Sequence, residues 1–215
     1  LQAQDVHVVV LDRRVEGVDV DIVRGDSVQG AHNLMSHLIS LGHRRVGMLS
    51  GPAEVSAARD RVLGYRTALT EAEIAFDETL VRYGNFTVDS GDEMTRELLT
   101  LDRRPTAIFA ANNFIAVGAM RALHGAGLTV PDDMSLVAFD DLPDIYMQAP
   151  ILTVAAQPTF ELGTVAAKLL LDRLKGEKSR PPADILLSTE LIVRASARPL
   201  NGMPLRNDGV KEESR

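Results

Sequence analysis

The sequence predicts an α/β fold built on parallel strands, and three observations carry that prediction. Two short apolar runs, residues 106–111 and 135–139, flank one amphipathic helix in which Ile115, Ala119, Ala122 and Leu123 keep helical spacing. Each run ends abruptly in paired polar side chains, Asn112-Asn113 and Asp140-Asp141. Similar strand and helix patterns alternate along most of the chain before and after this unit. A strand, a crossover helix and a second strand of this length make a βαβ unit with parallel strands. Such strands are buried on both faces, so the first polar residues beyond their carboxyl ends are the first that can meet a ligand. Asn112 and Asp140 are therefore site candidates. The alternative has Asn112 or Asn113 capping the helix and the aspartates making a turn.

Taken in order, residues 7–11 read as a strand, and Asp12 stands just past its carboxyl end. Asp26-Ser27 can cap a helix whose apolar face takes Val28, Ala31, Met35, Leu38 and Ile39, with Gly42 to end it. His43-Arg44-Arg45 follow in the turn, either as a phosphate patch or as charges that meet the helix dipole. Residues 46–49 form the next strand and Gly51-Pro52 turns the chain. A helix over 56–72 buries Ala58, Val62, Tyr65 and Leu69. Arg59 and Arg61 lie in its early turns and either reach the crevice or pair with Asp60 and Glu54 in solvent.

A strand over 80–83 leads through Gly84-Asn85-Phe86 into a helix with Met94, Leu98 and Leu101 inward. Phe86, alone among small and polar residues, is either a core plug or an aromatic face for a ligand. Beyond the central unit, Gly125 and Gly127 end its helix and Val130-Pro131-Asp132-Asp133 turns the chain. A helix over 161–176 buries Leu162, Val165, Ala166, Leu169 and Leu170. Residues 179–182 form a hinge-like connector, and 185–187 and 190–193 are closing strands. The polar remainder, 199–215, reads as a flexible tail.

At 215 residues the chain holds one large domain or two small lobes, and 45% hydrophobic residues suit a globular core. The formal charge of −7 lacks the basic footprint that a phosphate backbone demands, so the chain should not bind DNA by itself. Without cysteine there is no disulfide, thiolate metal site or cysteine nucleophile, which is compatible with a reducing compartment. Nothing resembles a membrane span or a signal peptide, and a chain opening at Leu1 reads as part of something longer.

Enzyme signatures are missing. Every lysine lies at or after Lys168, which removes a Walker-type lysine from the strand-helix units before it, and there is no GxGxxG or GxSxG motif. The five histidines show no metal-ligand spacing. Asp140-Asp141 could hold Mg²⁺, but phosphoryl transfer needs a further cation that the pattern does not supply. No metal or cofactor is expected.

The segments GHRRVGMLSGP (42–52), ARDRVLGYRTAL (58–69), PTAIFAANN (105–113) with AVGAMRAL (116–123), VPDDMSLVAFDDLP (130–143), APILTVAAQP (149–158) with ELG (161–163), and ELIVRAS (190–196) occur in this order. Together they resemble the effector-binding core of bacterial transcriptional repressors of the lac-repressor (LacI/GalR) family, over residues 8–198. The resemblance implies Rossmann-like parallel sheets with helices on both faces, in the two-lobe architecture of periplasmic sugar-binding proteins. Residues 26–155 and 185–198 would form the C-terminal, effector-binding lobe, and 1–25 with 156–184 a truncated N-terminal lobe. It also implies a homodimeric, cytoplasmic regulator that reaches operator DNA only through a helix-turn-helix headpiece, which this sequence lacks.

By motif position, the resemblance makes Asp12, Arg61, Phe86, Asn112, Asp140 and Gln157 the contacts to a small effector, a sugar or nucleoside-like molecule. The family usually has aspartate at Asn113, glycine at Ala138, and threonine then valine at Val154-Ala155. The alternative of the same fold is a periplasmic solute-binding protein serving a transporter.

Overall fold

The structure, a computed structural model, describes residues 6–142, 151–175 and 181–200. The chain runs β1 (Val9–Leu11), β2 (Asp21–Gly25), α1 (Ser27–Ser40), β3 (Val46–Ser50), α2 (Ser56–Glu71), a 3₁₀ turn (Glu78–Leu80), β4 (Val81–Tyr83) and α3 (Val88–Leu99). It continues through β5 (Ala107–Ala110), α4 (Asn113–Gly125), β6 (Ser135–Phe139), β7 (Thr153–Ala156), α5 (Thr159–Leu174), β8 (Asp184–Leu187) and β9 (Glu190–Ile192). Two sheets result. The larger has the order β4-β3-β5-β6-β7-β9 and the smaller β1-β2-β8. All pairings are parallel except β7 with the edge strand β9.

The larger sheet is built as its sequence dictates. β3, β5 and β6 are buried at every position, as expected of parallel strands covered on both faces. One pair of helices, α1 with α2, and a second, α3 with α4, cover it. Both pairs cross closely at glycine. A Cβ on Gly64 would lie 2.2 Å from the Val28 carbonyl, and one on Gly118 2.0 Å from that of Val88. The α1 N-terminus is capped by Asp26, which accepts from the Gln29 N–H. At its other end Gly42 takes φ 90°, a conformation open to glycine without cost.

The smaller sheet has a separate core of Val23, Leu162, Ala166 and Leu169, with Val9, Val165, Ile185 and Leu187 around it. α5 lies on β1 and β2. Asp21, 2% exposed, is neutralised by Arg173 at 2.8 Å and also accepts from the Ala183 N–H. Chain crossings between the two sheets fall between β2 and α1, between β7 and α5, and between β8 and β9.

Several expectations need correction. β8 pairs with β2 over residues 184–187, so 185–187 belong to the smaller sheet and not to the larger lobe assigned from sequence. β2 itself was not expected, and the closing strand β9 joins the otherwise parallel larger sheet in antiparallel register. His43 is 2% exposed, bonded to the Thr106 hydroxyl and the Arg198 carbonyl, while Arg45 pairs with Asp77, so His43-Arg44-Arg45 is no phosphate patch. Part of the connector, residues 179–180, and most of the predicted tail, 201–215, lie outside the described residues, whereas Leu200 is docked through its N–H to the Leu41 carbonyl.

Candidate functional site

Three strand ends meet between the sheets. Asp12 follows β1 and Asp140 follows β6, and both take left-handed backbone angles, φ 68° and 65°. Asp tolerates that region better than most residues do. The Asp12 N–H donates to Val23 O and the Asp140 N–H to Ala155 O, so each turn is tied to the neighbouring strand. Gln157, the first residue past β7, links them. Its Nε2 donates to Asp12 Oδ1 at 3.0 Å and to Asp140 Oδ1 at 2.8 Å.

Arg61 enters from α2 and is 3% exposed. Its Nη1 donates to the carbonyl of Ala111, just beyond β5, at 2.7 Å. The guanidinium carbon lies 3.9 Å from the Phe139 ring centre and 6.0 Å from that of Phe86. Nη2 stands 3.7 Å from Asp140 Oδ2 and 4.0 Å from Asp12 Oδ1, within ion-pair range but too far for hydrogen bonds. Arg61 Nε, Arg61 Nη2 and Gln157 Oε1 are buried without a hydrogen-bond partner; among the described residues only Ser50 Oγ and His37 Nε2 share that state. Buried polar atoms are nearly always satisfied, so orphans grouped on two neighbouring side chains mark a place built for polar ligand or water atoms.

The electrostatics reflect burial. Burial raises the Asp140 carboxyl above the ordinary range, with the Arg61 charge opposing that rise. Burial likewise lowers the Arg61 guanidinium, against the charges of Asp140, Asp12 and Asp60, although an arginine stays charged at any pH a fold survives. The partner aspartate behaves differently. Asp141 accepts two bonds from Arg194 at 2.9 and 2.6 Å, which hold its carboxyl below the ordinary range. With Asp141 occupied, the Asp140-Asp141 pair is not a magnesium site, and no group of three metal-ligating side chains occurs among the described residues.

Asp12, Arg61, Asp140 and Gln157 thus come together. Phe86 is half-buried and joins them through Arg61, with its ring so close over Gly51 that a Cβ there would lie 2.2 Å from it. Asn112, 8% exposed, spends its Oδ1 on the Ile115 N–H as the α4 cap, so the capping alternative holds for that atom. Arg59 turns away to Glu16 and the Glu54 carbonyl. Sequence reasoning missed Phe139, Ser50 and Gly25. Ser50 obeys the same strand-end rule as Asp140, and a Cβ on Gly25 would lie 2.2 Å from Gln157 Oε1.

Two sheets with separate cores, joined by chain crossings and facing each other with polar groups at their strand ends, define a two-lobe ligand-binding core. The family model of the periplasmic binding protein-like domain matches residues 35–197. The chain is 40% identical over 189 residues to the HTH-type transcriptional regulator CelR of Thermobifida fusca, covering 87% of this chain and 53% of that protein. Among solved structures, a LacI family transcriptional regulator from Enterococcus faecium with bound ribose is 32% identical, with a TM-score of 0.82 over 93% of this chain and 73% of that one. A transcriptional regulator CelR-cellobiose complex is 37% identical, with a TM-score of 0.81 over 88% and 58%.

The chain belongs to the LacI family of transcriptional regulators, as a periplasmic binding protein-like effector-binding domain. It spans about half the length of the curated relatives it matches.

Proposed function

We propose that this chain is the effector-sensing core of a cytoplasmic, homodimeric repressor, whose ligand is a sugar or nucleoside-like molecule held between the lobes by Asp12, Arg61, Asp140 and Gln157, with Phe86 beside them. The observation that carries the reading is the pair of unsatisfied donors on Arg61, Nε and Nη2, on a guanidinium flanked by the Asp12 and Asp140 carboxylates and the Phe139 and Phe86 rings. Vicinal hydroxyls donate to carboxylates and accept from a guanidinium, while the apolar face of a sugar ring suits an aromatic neighbour. Ribose and cellobiose in the related structures support this ligand class. Ligand binding would favour one lobe arrangement, which the dimer passes to operator DNA through a helix-turn-helix region outside this chain, as the names of the HTH-type relatives suggest. The relatives are regulators, so the transporter alternative has no comparable support.

Thermal melting against ribose, cellobiose, other sugars and nucleosides tests the reading. A ligand at a hundred times its dissociation constant adds about 2.7 kcal/mol, a shift of roughly 5 to 10 °C for a chain of this size. Asp140→Asn should keep the fold and lose that shift. An Asp140→Asn protein that responds as the parent does would overturn the site assignment.

A further inference from the structure

We propose that Asp60, which does not belong to the ligand-facing group, is the positioning residue that holds the small sheet against α2, so that the closed crevice depends on it. The inference rests on reading the crevice as the ligand site, but its test does not need a ligand.

Asp60 is 8% exposed and both its oxygens face arginines carried by the small-sheet side. Oδ1 accepts from Arg14 Nη2 at 2.5 Å, and Oδ2 lies 3.9 Å from Arg24 Nη1. Arg24 is itself stiffened within its sheet by a bidentate pair to Asp184 on β8, at 2.8 and 3.0 Å. Beside this cluster, the Arg14 N–H donates to Ser56 Oγ at 2.8 Å, and Arg59 reaches Glu16 at 2.7 Å. The segment 12–16 and strand β2 therefore meet the first turns of α2 through polar contacts. The apolar clusters of the two sheets have no residue in common.

That arrangement decides what controls closure. Hydrophobic attraction is non-directional and insensitive to moderate salt, whereas partly exposed charge pairs are screened and fail when one partner loses its charge. Adjacent residues on a helix point about 100° apart, so one turn of α2 presents Asp60 to the clamp and Arg61 to the ligand group. Asp12 lies two residues from Arg14 on the small-sheet side, and its contacts with Gln157 and Arg61 last only while the clamp keeps the segment in place. A ligand that needs both lobes is then bound in proportion to the closed fraction.

The chain contains no cysteine, so Lys168→Cys on α5 and Glu93→Cys on α3 give two unique, exposed spin-label positions, one beside each sheet. Pulsed electron–electron resonance without ligand should show one short distance in the labelled parent. Asp60→Asn should add a longer population, with the open-to-closed ratio rising about tenfold, and 0.5 M salt should move the parent the same way. Asp60→Glu, which keeps the charge, should restore the short distance. Arg14→Gln gives the same readout should Asp60→Asn fail to fold. An Asp60→Asn distribution identical to the parent's sinks the proposal, whatever the melting panel shows. If ribose or cellobiose stabilises the parent, Asp60→Asn should weaken that sugar in proportion to the closed fraction read from the distances, and an unchanged affinity beside a mostly open distribution would also count against it.

Discussion

The two sheets are made by different means. In the larger, β3, β5 and β6 are buried throughout, and the core includes Leu34, Met48, Phe109, Ile115 and Phe139 at 0% exposure. In the smaller, β1 and β8 are only half-buried or exposed, and four buried apolar side chains form the core. Its ties are charged instead: Arg173 to Asp21, Arg24 to Asp184 and Arg14 to Asp60. The site is divided in the same way. Arg61, Asp140, Phe86 and Phe139 all stand on the larger side, and Asp12 is what the smaller side brings. A rigid half-site with a lightly held cover is the division of labour expected where a ligand has to enter and then be enclosed.

The largest expected effects test that division directly. Phe109→Ala removes a fully buried ring from the larger core and should cost about 3–5 kcal/mol, lowering the whole cooperative transition. Leu162→Ala, in the smaller core, should cost about 2–3 kcal/mol at most and loosen only β1, β2, β8 and α5. Amide hydrogen exchange separates the cases. If Leu162→Ala deprotects β5 as much as Phe109→Ala does, the two sheets form one cooperative unit and the contrast fails.

Arg61→Met comes next. It removes a buried guanidinium whose Nε and Nη2 are unsatisfied, so the burial cost that the charge imposes disappears with it. The Ala111 carbonyl loses its donor and the buried Asp140 its cation, and these losses outweigh that relief, so stability should fall by about 3 kcal/mol while the thermal response to any ligand is lost. Stability within about 1 kcal/mol of the parent's would mean that the guanidinium is kept for ligand alone and takes no part in holding the larger core. Charge removal also leaves Asp140 facing Asp12 without a nearby cation, so its carboxyl should move further up.

How much of this was legible in the sequence follows the same contrast. The central strands could be read because burial on both faces leaves an unbroken apolar run, as at 107–110 and 135–139. The α1 cap at Asp26 and its glycine stop at Gly42 rest on local chemistry and were equally readable. β2 could not be read. Its sequence, DIVRG, carries Asp21 and Arg24, whose partners Arg173 and Asp184 lie more than 150 residues away. The placement of β8 is likewise a pairing with β2, a long-range fact that no local pattern records. In the site, Asp12 and Asp140 follow from the strand-end rule, and Gln157 was named through the family resemblance. The burial of Arg61 was undecidable from spacing, because it sits at the shoulder of the apolar stripe of Ala58, Val62, Tyr65 and Leu69, where a charged side chain can turn either way.

The smallest predicted effect would narrow the gap between the sheets from the other side, by weakening the larger one in acid. Burial lowers the His37 imidazole below its ordinary value, and does the same to His43, where the Arg198 carbonyl opposes the shift and the nearby His37 adds to it. A folded-state value below the unfolded one means that the unfolded chain binds more protons, so stability rises with pH through this range. The histidine contribution is fully present above the unfolded value near 6.5 and is lost as pH falls through the lowered folded values. Asp140 has the opposite sign. Its raised carboxyl favours the folded state at low pH, and that contribution fades as pH climbs from the unfolded carboxylate range through the raised value. Both histidines belong to the larger lobe, in α1 and the turn after it, so the acid slope should belong to that lobe. His37 Nε2 is buried without a partner, which makes His37→Leu a mild change: stability at pH 7 should stay within about 1 kcal/mol, because no hydrogen bond is lost. Urea unfolding of parent and His37→Leu at pH 7, 6 and 5 measures the slopes. A shallower slope in the variant places proton uptake at α1, and an unchanged slope would remove His37 from the account and leave His43, enclosed between Thr106 and Arg198, as the group to replace next.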